Sequence, residues 1–104
     1  TQGIANALFE EVVYEDDNIL TASMLDYLPP TATEIPDIEI GHLHTITDAT
    51  ITGAKGLGEG GTIGAPAAIL NAVSDAISHL GLAVNELPAT PDRIRALIRG
   101  REGQ

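Results

Sequence analysis

Apolar positions Ile4, Ala5, Leu8 and Val12 recur at helical spacing and predict a short helix over about the first ten residues. The pattern then changes. Residues 11–14 and 19–23 read as strands on either side of Glu15-Asp16-Asp17-Asn18, an acidic turn in which Asn18 can take a left-handed conformation. Residues 26–36 contain Pro29, Pro30 and Pro36. Proline lacks an N–H and restricts the residue before it, so this stretch is expected to be extended or irregular. Ile38, Ile40, Leu43 and Ile46 suggest a third, imperfect strand, and the Thr- and Gly-rich residues 48–64 a passage from strand to loop.

A long helix is expected over residues 62–80. Thr62 is a candidate cap, and Pro66 suits a first turn, where its missing N–H is not needed. Ile69, Val73, Ala76, Ile77 and Leu80 line one face, with Asn71, Ser74, Asp75 and Ser78 on the others. Gly81 suits the exit. A last, short helix opens at Thr90-Pro91-Asp92, turns Ile94, Leu97 and Ile98 inward and ends near Gly100. No internal repeat or low-complexity linker interrupts this order. The fold class is α+β: a short helix, a β-hairpin and a further strand, a Gly-rich turn, a long helix and a short C-terminal helix.

Composition narrows the picture. At 104 residues the chain is one small domain at most, and its 43% hydrophobic content includes only three aromatics, Phe9, Tyr14 and Tyr27. A chain this short buries a modest share of its surface, so packing against more protein is expected. The face carrying Ile69, Val73 and Leu80 is a candidate for that contact. The chain opens on Thr1 rather than methionine, as after methionine removal or excision from a longer chain. There are no cysteines, and no apolar run long enough to span a membrane. Acidic residues outnumber basic ones by 15 to 5, and Lys55 is the sole Lys or Arg before Arg93. Such a body repels nucleic-acid phosphates and anionic membranes, so neither is an expected partner. A cytoplasmic location is expected.

Candidate chemistry concentrates in residues 55–66. Gly56, Gly58 and Gly61 satisfy the GxGxxG pattern of a dinucleotide-binding turn. That turn normally follows the first strand of a parallel βαβ unit, whereas a hairpin and a proline-rich stretch precede it here. Glu59 would also point a negative charge into a cradle meant for pyrophosphate. His42 and His44 share one face of the expected third strand and could meet a metal, with a third ligand from Asp48, Glu39 or another chain, but two solvated polar residues is the favoured reading. Glu10/Glu11 and Asp16/Asp17 read as solubilising charge. Glu59 itself, flanked by glycine on both sides, is either a surface or capping glutamate or a general base that needs a cleft formed with other protein or a cofactor.

The run KGLGEGGTIGAPAAILNAVSDAI at residues 55–77 closely resembles the C-terminal signature of molybdenum hydroxylase large subunits. This is the xanthine dehydrogenase and aldehyde oxidase family, including the carbon-monoxide-dehydrogenase-like members. QGIANALFEE at residues 2–11, DYLPPTA at 26–32, EIP at 34–36, ELP at 86–88 and Thr90-Pro91 extend the resemblance over nearly the whole chain. It implies that residues 1–104 form a single C-terminal segment of a molybdopterin-binding domain. It implies that Glu59 is the catalytic base that takes a proton from a molybdenum-bound hydroxide as a small aldehyde, N-heterocycle or carbon monoxide is oxidised. Lys55, Gly56, Leu57 and Gly58 would line the molybdopterin, whose form, with or without a cytosine dinucleotide, stays open. Implied partners are the rest of the large subunit and the iron–sulfur and FAD subunits that carry electrons away. Gly60 and Gly61 follow Glu59 where the best-known xanthine and carbon monoxide enzymes carry proline, which leaves the substrate open. By itself the 104-residue chain is expected to lack the cofactor and to be inactive. The alternative is a non-catalytic fragment that folds by self-association, as a homo-oligomer, or as an interaction module.

Overall fold

A computed structural model of the chain describes residues 1–102. Helix α1 spans Gln2–Leu8, and strands β1 (Tyr14–Glu15) and β2 (Asn18–Ile19) form an antiparallel pair. Helix α2 spans Gly60–Ile63 and α3 Ala65–Ala76. A 3₁₀ turn at Ser78–Leu80 follows, and α4 spans Pro91–Glu102. No helix among the described residues is long and apolar enough to cross a membrane.

The helices pack through small residues. Gly3, Ala5 and Ala7 are the buried residues of α1, and a side chain at position 3 would collide with the Ala65 methyl at the start of α3. The two backbones therefore approach closely. Ala5, Ala7, Ile77 and Ala89 are the buried hydrophobic residues among those described, so the centre is built mainly from alanine methyl groups around Ile77. The returning chain is tied down by polar contacts. The Ala89 amide donates to the Ala7 carbonyl at 2.6 Å, and the Val84 amide donates to Ser74 Oγ at 2.9 Å. Arg93 donates to the Pro88 carbonyl at 3.0 Å and to Glu11 Oε1 at 2.6 Å, joining α4 to the end of the first segment.

Several elements differ from the sequence pattern. The hairpin strands are shorter than residues 11–14 and 19–23: the ladder holds Tyr14↔Ile19 and Glu15↔Asn18, and beyond it the Val13 amide donates to the Thr21 hydroxyl at 3.0 Å rather than to a main-chain carbonyl. Asp16 (φ 46°) and Asp17 (φ 65°) take the left-handed conformation expected of Asn18, as a two-residue turn with both central φ positive requires. Asn18 instead donates its side-chain amide to the Asp16 carbonyl at 3.0 Å. The single helix expected over residues 62–80 is broken in two places. Pro66 has no N–H to offer the carbonyl four residues back, and its ring crowds that carbonyl, so α2 ends and α3 restarts from Gly64. Past Ile77 the chain tightens into the 3₁₀ turn and exits through Gly81, at φ 70° in the region glycine occupies at no steric cost.

The expected third strand through Ile38, Ile40, Leu43 and Ile46 forms no ladder: this stretch is irregular and exposed. The Cα radius of gyration is 18.0 Å, against about 13 Å for a compact chain of this length. The difference lies in the long excursion between β2 and α2. Ile69, Val73 and Leu80 are half-buried, and the large exposed apolar side chains sit mainly in that excursion rather than on the α3 face.

Candidate active site

The turn at residues 55–59 is placed by two local devices. Before it, the Gly53 amide donates to the Thr50 carbonyl at 3.1 Å and Gly53 sits at φ 69°, so the chain reverses direction. The reversal brings Lys55 beside the preceding segment, where Nζ donates to Thr45 Oγ1 at 3.0 Å. After it, α2 begins. The Gly60 amide donates to the Leu57 carbonyl at 3.2 Å, and Leu57 lies where any side chain on Gly60 would be.

Glu59 occupies the N-cap position of α2, at φ −109° and ψ 2°. Its carbonyl is gripped twice by Thr62, by the amide at 2.9 Å and by the hydroxyl at 2.8 Å. Thr62 was expected to cap a helix; it instead fixes the backbone of the residue that precedes one. The Glu59 side chain makes no capping bond, is exposed, and has no hydrogen-bond or ion-pair partner among the described residues. Lys55, the one base nearby in sequence, is committed to Thr45 rather than to Glu59. The result is a carboxylate with a fixed backbone and uncommitted oxygens, able to accept a proton from whatever is brought against it.

The neighbouring backbone is equally open. The amides of Lys55, Gly56, Leu57, Gly58 and Glu59 make no hydrogen bond among the described residues. A Cβ added at Gly56, Gly58, Gly61 or Gly64 would meet nothing within 4 Å. A ligand rich in acceptor atoms can therefore approach this backbone at hydrogen-bond distance. Lys55 keeps ammonium protons to offer beyond the one given to Thr45. These features fit a molybdopterin, whose phosphate and ring heteroatoms accept hydrogen bonds.

Other candidates separate from this turn. His42 and His44 are exposed with ring centroids 5.9 Å apart, and the described residues gather no set of three His, Cys, Asp or Glu side chains able to hold a metal ion. The dinucleotide reading of Gly56, Gly58 and Gly61 does not suit a four-residue α2 or a lone antiparallel strand pair. A cavity of about 670 Å³ lies among Phe9, Val73, Ala89, Ile94 and Ile98 and takes no lining from the turn. Two contributors were missed from sequence. Thr45 lies ten residues from Lys55 with no periodicity to connect them, whereas Thr62, three residues after Glu59, could have been found from its spacing.

Comparison with known proteins agrees with the geometry. The family model of a molybdopterin cofactor-binding domain matches residues 1–36. The nicotine 6-hydroxylase large subunit of Paenarthrobacter nicotinovorans is 47% identical over 100 residues, covering 95% of this chain and 12% of that protein. The xanthine dehydrogenase molybdenum-binding subunit of Escherichia coli O157:H7 is 37% identical over 94 residues, covering 88% of this chain and 12% of that protein. In fold, the chain matches quinoline 2-oxidoreductase from Pseudomonas putida 86 with a TM-score of 0.85 and 44% identity, over 94% of this chain and 13% of that one. The chain thus spans about one-eighth of the length of these relatives, and the sequence matches run through the 55–59 turn that the family model does not reach. In sequence and in fold, it belongs to the family of molybdenum hydroxylase large subunits.

Proposed function

We propose that residues 1–104 are the C-terminal catalytic segment of a molybdopterin-dependent hydroxylase, with Glu59 as its general base. The observation that carries this reading is the state of Glu59: backbone held twice by Thr62, side chain exposed and unpartnered, on a turn with open amides. Glu59 accepts the proton of the oxygen nucleophile as that oxygen attacks an electron-poor carbon of the substrate. Lys55, Gly56, Leu57 and Gly58 hold the cofactor, the lysine through its free ammonium protons and the others through their amides. The bound group supplies the redox chemistry, accepting the electron pair that leaves the substrate. The rest of the large subunit closes the cleft, and iron–sulfur and FAD subunits take the electrons onward. The location is cytoplasmic.

Among aldehydes, carbon monoxide and N-heterocycles, we favour the last as substrate class. Nicotine and quinoline, named in two of the relatives, are both aromatic N-heterocycles. Ring nitrogen withdraws electrons from the adjacent carbon and prepares it for attack by an oxygen nucleophile. A cytosine dinucleotide form of the pterin is compatible with the open turn.

The test is Glu59→Gln in the complete enzyme. Glutamine keeps the shape and removes the base, so turnover falls by about 10²–10⁴-fold. Molybdenum and pterin content stay at the parent level. Full turnover in the variant overturns the assignment.

A further inference from the structure

Residues 35–46 make no backbone–backbone hydrogen bond among the described residues, whether as donor or acceptor. They form neither helix nor ladder, and along the sequence their side chains alternate. Ile38, Ile40, His42, His44 and Ile46 fall on one face, and Asp37, Glu39, Gly41 and Thr45 on the other, with Leu43 the exception. The His42 and His44 rings, 5.9 Å apart, show the shared face directly. Ile40 is 79% exposed and Ile46 86%. A segment with this alternation and a row of unsatisfied amides has the pattern and the free backbone of a β-strand but no partner. Among the described residues no partner strand is present, since β1 and β2 pair only with each other.

We infer that residues 37–46 add as a β-strand to an exposed sheet edge in the remainder of the large subunit. The inference rests on the family reading above, and the occupant follows from length: about seven-eighths of the relatives' chain lies outside the segment they share with this one. Main-chain bonds supply the affinity in such pairing, and the alternate side chains set the register. Asp37 and Glu39 guard the free segment, since like charges oppose its pairing with a second copy. The docked strand also serves the candidate active site. Thr45 holds Lys55, and the Gly53 reversal leads directly from this strand into the 55–59 turn. Pairing at residues 37–46 thereby sets the position of the turn against the rest of the protein.

The test is residue-resolved amide exchange of the 104-residue chain. It is measured alone and mixed with the nicotine 6-hydroxylase large subunit from which the matching segment has been deleted. Alone, amides 37–46 exchange at near free-peptide rates at every protein concentration. In the mixture, every second amide slows by roughly 10-fold or more, because edge addition pairs only one side of a strand. Unchanged exchange, or equal slowing of all these amides, overturns the inference. Protection that grows with concentration in the chain alone assigns the edge to a second copy and overturns the stated occupant. The Glu59→Gln chain gives the same alternating pattern, so strand pairing and the role of Glu59 succeed or fail separately.

Discussion

The helices and the excursion between β2 and α2 draw on the same apolar side chains and place them oppositely. In α3, the 3₁₀ turn and α4, residues Ile69, Leu70, Val73, Ile77, Leu80, Ile94, Leu97 and Ile98 are buried or half-buried. In the excursion, Leu25, Ile40, Leu43, Ile46 and Ile51 face solvent. The helices satisfy their backbone groups internally and need only a neighbour for one face. Much of the excursion, residues 35–46 above all, leaves both its backbone groups and its apolar side chains without partners among the described residues. The first region is thus encoded locally and the second is encoded for a context. The candidate catalytic turn lies at the junction, held by Thr62 of the helical region on one side and by Thr45 of the excursion on the other.

The sharpest way to break this contrast is to compare substitutions in the two regions. Gly3→Val forces a branched side chain into the contact between α1 and the Ala65 methyl. Overpacking of this kind costs about 1–3 kcal/mol. Ile40→Ser, in the excursion, removes an exposed side chain and changes the stability of the free chain by no more than about 0.5 kcal/mol. Urea unfolding of the two variants beside the parent measures both. An Ile40→Ser loss as large as that of Gly3→Val would mean that the excursion is packed in the free chain, and the contrast would fall.

A smaller effect is expected where the first segment meets α4. The Arg93–Glu11 pair is close, at 2.6 Å, but its side chains are 45% and 36% exposed. Exposed pairs contribute about 0.2–1 kcal/mol. Arg93 also donates to the Pro88 carbonyl, so Arg93→Ala removes both contacts and Glu11→Gln mainly the charge. Arg93→Ala should lower the unfolding midpoint more than Glu11→Gln does. Added salt should shrink the Glu11→Gln effect, because screening acts on the ionic part. Equal losses in the two variants would place the whole interaction in the ion pair.

The two regions were not equally legible in the sequence. The α4 face could be read because half-burial follows the helical period, as Ile94, Leu97 and Ile98 show, whereas α1 could be located but its buried residues, Gly3, Ala5 and Ala7, are set by close backbone approach and not by the apolar period of Ile4, Leu8 and Val12. The hairpin could be located from its acidic turn, yet its handedness was assigned to Asn18, since propensity favours Asn where the two-residue loop in fact requires Asp16 and Asp17. The break at Pro66 was hidden by apolar spacing that continues across it. The third strand was read from a real alternation, but alternation specifies a strand's faces and not its partner. Glu59 stood out because glycine on both sides is uncommon for a carboxylate. Its hold by Thr62 follows a three-residue spacing that the sequence offers, whereas the capture of Lys55 by Thr45 depends on turn geometry that residue spacing does not determine.

The finest test of the separation is pH. Glu34 lies in the excursion, where its carboxylate accepts hydrogen bonds from the Thr31 amide at 2.7 Å and the Thr33 hydroxyl at 3.0 Å, as well as from the Thr31 hydroxyl. The Thr31 hydroxyl is the largest cause, followed by the Thr31 amide and the Thr33 hydroxyl, and together they hold the Glu34 carboxyl below the ordinary glutamate range. A depressed folded value means that the turn gains stability above the ordinary range and loses it as pH falls through the depressed one. Carbon-detected NMR should therefore give Glu34 a midpoint below that of a free glutamate, and Thr31→Val should move it back up. The Thr31 amide resonance should shift with the same midpoint, while amides of α3 stay unmoved. If the α3 amides titrate together with Glu34, the excursion and the helices are coupled, and the free chain behaves as one cooperative unit rather than two.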